Sequence, residues 1–285
     1  MPFALNAGTR IYFHDVGGSG IPMLLVHGFT VQLLGWRPGF VQELVDRGLR
    51  PVLFDNRDAG LSDKTGGPDD TDGHYGLDDM ADDGFAVLDA LEIDEAHLLG
   101  QSMGGMIAQA MAIRSPGRVK SLTLFYSAPN GRYGIRNEGA KDLSVRQDRL
   151  ARDEAIKAAV EREQLSASPE FAFDEDWHID LATRSYDRCY APDGYPRQAR
   201  AMNEAPDRSA ALAELEIPTV LIHGRHDRHL SPQAALDMAA VMPRSELHLY
   251  EGLGHEIAKP LWTDFGDIIL RNVLRAEKSA ADKTH

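Results

Sequence analysis

The stretch Gly100-Gln101-Ser102-Met103-Gly104 decides the fold. It fits G-x-S-x-G. A strand-like run, Ala96-His97-Leu98-Leu99, precedes it, and a helical run, Gly105-Met106-Ile107-Ala108-Gln109-Ala110-Met111-Ala112, follows. A strand that turns abruptly into a helix forces its middle residue into a strained conformation, and the glycines keep side chains out of the way. Ser102 is therefore expected at the tip of a sharp elbow, exposed above a sheet. A serine hydroxyl is a weak nucleophile, so it needs a nearby base and an anion-stabilising pocket.

The surrounding pattern supplies the sheet. Phe3-Ala4-Leu5 and Arg10-Ile11-Tyr12-Phe13-His14 flank the turn residues Asn6-Ala7-Gly8 and read as an antiparallel hairpin. Short apolar runs then alternate with helical stretches. The runs are Pro22 to Val26, Pro51 to Phe54, the elbow strand, and Val119 to Phe125; helices are expected over Phe40 to Val45 and Leu77 to Leu91. Such alternation predicts a mostly parallel sheet with helices on both sides. From about Pro129 to Pro206 no strand pattern is present, and helices are expected over Asp153 to Gln164, Glu175 to Tyr190 and Tyr195 to Glu204. Alternation resumes with a strand at Pro218 to Ile222 and a helix at Ser231-Pro232-Gln233, with Ser231 as N-cap and Pro232 at the first helical position. A strand at Glu246 to Tyr250 and a helix from about Pro260 to Arg275 complete it. The expected organisation is an α/β core over 1–128 and 207–285, interrupted by a helical cap subdomain over 129–206. The polar tail Ala276 to Lys283 is expected to fray.

An acid and a base follow in order. In Gly252-Leu253-Gly254-His255-Glu256, flanking glycines let a loop after the last strand carry an imidazole towards the elbow. After the preceding strand, His223-Gly224-Arg225-His226-Asp227-Arg228 offers Asp227, placed to hold that imidazole in the right tautomer and to stabilise its cation. The order Ser102, Asp227, His255 is nucleophile, acid, base. The segment Tyr126-Ser127-Ala128-Pro129-Asn130, where some such sheets place the acid, has no carboxylate. Two backbone N–H groups must face the developing oxyanion: that of Met103, directly after the nucleophile, and one from His27-Gly28-Phe29-Thr30, with Phe29 the candidate. Each such donor is worth on the order of 3 kcal/mol in the transition state.

Together His27-Gly28-Phe29, Asp55-Asn56-Arg57-Asp58-Ala59-Gly60-Leu61-Ser62, Gly100 to Gly105, Gly224 to Asp227 and Gly254-His255 resemble the α/β-hydrolase fold family. The chain is similar to its small esterase and lactonase branch, which includes the aclacinomycin methylesterase-like and enol-lactonase-like enzymes. The resemblance spans residues 3–273 except the insertion. It implies an eight-stranded-type sheet and ester or lactone hydrolysis through an acyl-enzyme, without a cofactor. Related haloalkane dehalogenases and epoxide hydrolases carry aspartate at the elbow, where this chain has Ser102. Three rivals share the motifs: a cofactor-free perhydrolase or haloperoxidase, a carbon–carbon bond hydrolase, and a non-catalytic ligand-binding protein of the same fold.

Other features read more plainly. His223, His226 and His229 form H-x-x-H-x-x-H, but the stretch leaves a strand for a loop, so the spacing does not place three imidazoles on one helical face and no metal site is expected. His27 is expected to support the oxyanion loop, and Asp55 to Ser62 to form a hydrogen-bonded turn that braces the site. Trp36, Phe125, Trp177 and Tyr186 are candidates for the substrate pocket, with Phe29 and Met103 beside them. The helix over Asp153 to Gln164 is expected to present a solvated charged face. With 30 basic and 44 acidic residues, a formal charge of −14, the chain is a poor candidate for nucleic acid. Its single cysteine, Cys189, excludes an intrachain disulfide framework and a cysteine zinc site. No signal peptide and no apolar run of membrane-spanning length is read, which leads to a cytoplasmic expectation. A homodimer through the cap or an outer helix is compatible with the sequence, but no apolar stripe singles out a surface.

Overall fold

The structure is a computed structural model and describes residues 2–67, 69–70, 75–135 and 142–283, the last four of these by backbone alone. Residues 136–141 of the expected insertion lie outside it. Eight strands form one sheet: β1 (Phe3–Asn6), β2 (Thr9–Asp15), β3 (Ile21–Val26), β4 (Leu49–Phe54), β5 (Ala96–Gln101), β6 (Val119–Phe125), β7 (Thr219–Gly224) and β8 (Ser245–Tyr250). Their order is β1-β2-β4-β3-β5-β6-β7-β8. Only β2 runs against its neighbours; every pairing from β4 to β8 is parallel.

The parallel strands read as nearly continuous apolar runs because both faces are covered. Successive residues point to opposite sides. On one side Leu24, Val26, Leu98, Leu122, Leu124 and Leu221 pack against α2 (Leu77–Ala90), α3 (Met103–Arg114) and α8 (Gln233–Val241). On the other, Met23, Leu25, Leu53, Leu99, Phe125 and Ile222 pack against α1 (Pro38–Asp46) and α9 (Trp262–Lys283). Between β6 and β7 the chain forms α4 (Arg152–Ser166), α5 (Glu175–Cys189) and α6 (Tyr195–Asn203), then the short α7 (Ser209–Ala213). The described part of this segment contributes no strand, only an isolated antiparallel bridge between Gly134 and Leu230.

Two expectations are corrected. The helix expected at Ser231 starts at Gln233, although the Ser231 hydroxyl still accepts the Gln233 N–H at 3.3 Å. The expected fraying tail is helical to Lys283. Its first turn is tied down: Ala276 is buried, and the Glu277 carboxylate meets Lys120 and the ring of the buried His97, at 3.1 Å for the latter.

Two buried ion pairs fasten the inserted helices to the core. Arg197 of α6 forks onto Asp58 at 2.8 and 2.9 Å, with both side chains removed from solvent. Arg188 of α5 reaches Asp55 at 2.8 Å. These carboxylates belong to the Asp55 to Ser62 turn, which is hydrogen-bonded as expected: Asp55 accepts the N–H groups of Leu33 and Leu61, Asp58 accepts those of Thr65 and the Tyr75 hydroxyl, and the Ser62 hydroxyl donates to the Asp55 carbonyl.

Candidate active site

The elbow is built from close backbone approach. Ser102 has φ 55° and ψ −123°, a left-handed conformation that costs a non-glycine residue about 1–3 kcal/mol. Its N–H donates to the Phe125 carbonyl at 3.0 Å, and the Ser127 hydroxyl donates to its carbonyl at 2.8 Å. A Cβ at Gly104 would lie 2.0 Å from the Val26 carbonyl oxygen, and one at Gly100 would lie 2.4 Å from that of Gly104. The turn therefore tolerates no side chain at either glycine.

The structure brings Asp227 and His255 together. Asp227 lies in the loop after β7, 5% exposed, and its Oδ2 is 2.7 Å from His255 Nδ1. Its Oδ1 accepts the backbone N–H groups of His229 at 2.7 Å and Leu230 at 2.9 Å. His223 Nε2 stands 3.1 Å from Oδ2. Burial would raise the Asp227 pKa, but His255 and His223 outweigh it and hold the carboxyl well below the usual carboxylate range. The His255 ring packs against Tyr126 at 4.3 Å and His229 at 5.0 Å, and the backbone N–H of His255 donates to the Ser166 carbonyl of α4 at 2.8 Å. Nδ1 is thus occupied by Asp227, which leaves Nε2 as the basic nitrogen. The Ser102 hydroxyl makes no hydrogen bond among the described residues.

The two backbone N–H groups expected to face an oxyanion, those of Phe29 and Met103, differ from the other N–H groups of the loop around Phe29. Gly28 N–H is turned back to His27 Nδ1 at 2.8 Å and Thr30 N–H to Gln198 Oε1 at 2.8 Å. Phe29 N–H, between them, donates to no acceptor among the described residues, and neither does Met103 N–H at the first position of α3. Burial lowers the His27 pKa to about 3, so this imidazole is a neutral prop for the loop, edge-on to Trp36 at 5.1 Å. The chain signal for Gln198 was absent: it sits 168 residues from Thr30, on α6, and its Nε2 also donates to the Arg57 carbonyl at 2.8 Å.

The three histidines of H-x-x-H-x-x-H diverge. His223 turns to Asp227 and the Leu230 carbonyl, His226 Nδ1 accepts the Gly252 N–H, and His229 Nε2 is 3.0 Å from the Ser166 hydroxyl.

A cavity of about 90 Å³ lies between the core and the inserted helices, next to the elbow residue Gln101. Trp36 and Trp177 form part of its wall, together with Arg37, Glu163 and Glu256. Phe125 does not: it is fully buried between Phe40 and Phe265, because its position in β6 turns it to the α1 and α9 side of the sheet. Tyr186 stacks on Tyr190 at 4.7 Å and is absent from that wall. A wider, open depression of about 430 Å³ over β1 and α2 contains none of the candidate residues.

The comparisons agree with this architecture. The 2-hydroxymuconate semialdehyde hydrolase of Pseudomonas sp. (strain CF600) is 32% identical over 265 residues, which is 88% of this chain and 86% of that protein. A meta-cleavage product hydrolase from Pseudomonas fluorescens IP01 superposes with a TM-score of 0.71 at 23% identity, over 96% of this chain and 97% of the other. The enol-lactonase from Burkholderia xenovorans LB400 superposes with a TM-score of 0.72 at 20% identity, over 97% and 100%. A profile of the alpha/beta hydrolase fold matches residues 21–259, and with strand order, elbow and sequence relatives in accord, the chain belongs to the α/β-hydrolase fold family.

Proposed function

We propose that this hydrolase cleaves small to medium carboxylic esters or lactones through an acyl-enzyme on Ser102. The observation that carries the reading is the 2.7 Å pair between Asp227 and His255 Nδ1, which leaves Nε2 unprotonated and available to the elbow serine. In this reaction Nε2 takes the Ser102 proton as Oγ attacks the carbonyl. The tetrahedral oxyanion is held by the N–H groups of Phe29 and Met103. His255 then gives its proton to the leaving alcohol, and water activated by the same imidazole releases the acid. The helices over 129–206 act as the cap, and substrate occupies the space beneath them at the carboxyl ends of the strands, where open α/β sheets bind ligands.

A second reading, carbon–carbon bond hydrolysis with the same three residues, is favoured by the 32% identical 2-hydroxymuconate semialdehyde hydrolase. Initial rates on p-nitrophenyl esters from acetate to palmitate, for wild type and Ser102→Ala, test the first. Turnover by wild type that Ser102→Ala abolishes supports it. A folded wild type inert on every ester, yet active on 2-hydroxymuconate semialdehyde, would replace it with the second.

A further inference from the structure

The loop that carries His255 is held from two sides. From the β7 side, the backbone N–H groups of Arg225 and His226 donate to the carbonyls of Tyr250 and Leu253, both at 3.0 Å. From the other side comes the end of α4. Pro169 closes off the helical run, because the residue before a proline is pushed to extended backbone, and Ala167 already leaves the helix at φ −61° and ψ 146°.

The chain over 166–170 then runs as an antiparallel strap along the His255 loop. The Ser166 carbonyl, at a helix end whose last carbonyls lack an internal partner, accepts the His255 backbone N–H at 2.8 Å. The Ser168 hydroxyl accepts the Gly254 N–H at 2.9 Å, and the Ser168 N–H donates to the Glu256 carboxylate at 2.7 Å. The Glu170 N–H reaches the Gly252 carbonyl at 3.4 Å. The base and the residues on both sides of it are thus each tied to the strap. A Cβ at Gly254 would lie 2.5 Å from the Ser166 carbonyl oxygen and 2.8 Å from that of Ala167, so this glycine serves the close approach of the strap and not only the freedom of the loop. The strap also meets the acid's side of the site. The Ser166 hydroxyl is 3.0 Å from His229 Nε2, and the His229 backbone N–H donates to Asp227.

Within the strap, Ser168 holds both flanks of the base. It is 5% exposed and is not part of the cavity wall. The Gly254 N–H has no other acceptor among the described residues, so without the Ser168 hydroxyl a buried donor is left unanswered directly beside the base. A small movement of the loop then relieves that donor and carries the imidazole with it.

We infer that Ser168 is a positioning residue for His255: it fixes the main chain on either side of the base so that Nδ1 stays on Asp227. This role presupposes His255 as the base of the proposed reaction. It gives the inserted segment a task in the chemical step, separate from any contact with substrate.

Ser168→Ala removes one oxygen atom and tests it. On the p-nitrophenyl ester that wild type turns over best, kcat is expected to fall about tenfold or more while KM stays within about twofold. The assay runs well below the variant's thermal unfolding midpoint, so a merely structural role leaves kcat at the wild-type value. The low-field proton resonance of His255 Nδ1–H, assigned by its loss in Asp227→Asn, should shift or broaden in Ser168→Ala. Ser168→Cys, which keeps the shape with a weaker acceptor, is read in the same way where the alanine variant does not fold. Wild-type kcat in the folded variant, a change confined to KM, or an unmoved Nδ1–H resonance would overturn the inference. The resonance needs no substrate: a wild type inert on every ester sinks the ester reading, and the shift in Ser168→Ala still decides whether Ser168 positions His255.

Discussion

Replacing Asp227 by Asn isolates the role of the acid with little change of volume. Oδ1 of Asp227 accepts two backbone N–H groups, from His229 and Leu230. An asparagine therefore turns its carbonyl oxygen to that side, since the alternative sets an amide donor against two donors. Its Nδ2 then occupies the Oδ2 position, 2.7 Å from His255 Nδ1. Two donors cannot share that contact, so the imidazole shifts its proton to Nε2, where Ser102 needs an acceptor. The carboxylate that would stabilise the imidazolium is lost in the same step. A tautomer error of this type costs about 10⁴-fold in kcat, about 5 kcal/mol of barrier. The assay is kcat on the p-nitrophenyl ester that wild type turns over best, with thermal unfolding to show that Asp227→Asn is folded. A folded variant that keeps more than about 1% of wild-type kcat would refute the assignment of Asp227 as the orienting acid.

Three further outcomes follow from the geometry. Arg197→Met leaves Asp58 buried without its guanidinium, and urea unfolding should report a loss of about 3–5 kcal/mol; a loss below about 1 kcal/mol would mean that the pair does not anchor α6. Gln198→Ala frees the Thr30 N–H and loosens the loop that aims Phe29, so kcat should fall about tenfold while KM changes little; a change confined to KM would assign Gln198 to binding instead. Acid should destabilise the fold through buried neutral histidines: His27 and His97 fall from 6.5 to about 3 and about 4, so between those values and pH 6.5 the unfolded chain binds more protons and stability drops as pH falls. Each contributes about 1.4 kcal/mol per pH unit in its window. Urea unfolding at pH 7, 5.5 and 4.5 should show His97→Leu losing less than wild type, and parallel losses would exclude His97 as a source.

What could be read along the chain and what could not divide by sequence distance. The elbow, its glycines and the flanking strand and helix are one local signal, because the strained turn leaves few residue types that fit. Asp227 and His255 could be placed because loops after consecutive strands of a parallel sheet open on the same edge, and their 28-residue separation spans one helix and one strand. Phe125 was misplaced since a strand covered on both faces shows no alternation to tell which side each residue takes. The attachment of the inserted helices is a different matter. Arg197 and Asp58 are 139 residues apart, and each alone reads as an ordinary surface charge; only the fold makes them a buried pair. Glu163 shows the same limit within one helix. The α4 sequence is charged all round and buries only Ala155 and Val160 among its residues, which fits the expected solvated face. Yet one turn from its end a carboxyl is set beside the cavity, within electrostatic reach of His255. On the proposed function Ser102, Asp227 and His255 sit at the strand ends of the sheet, whereas Glu163 and Trp177 of the cavity wall come from inserted helices that are docked by ion pairs such as Arg188 with Asp55. On the same proposal, a change at Arg188 or Arg197 should alter substrate selectivity more than turnover, because it shifts α5 and α6, with Trp177 on the first, and leaves Ser102, Asp227 and His255 in place.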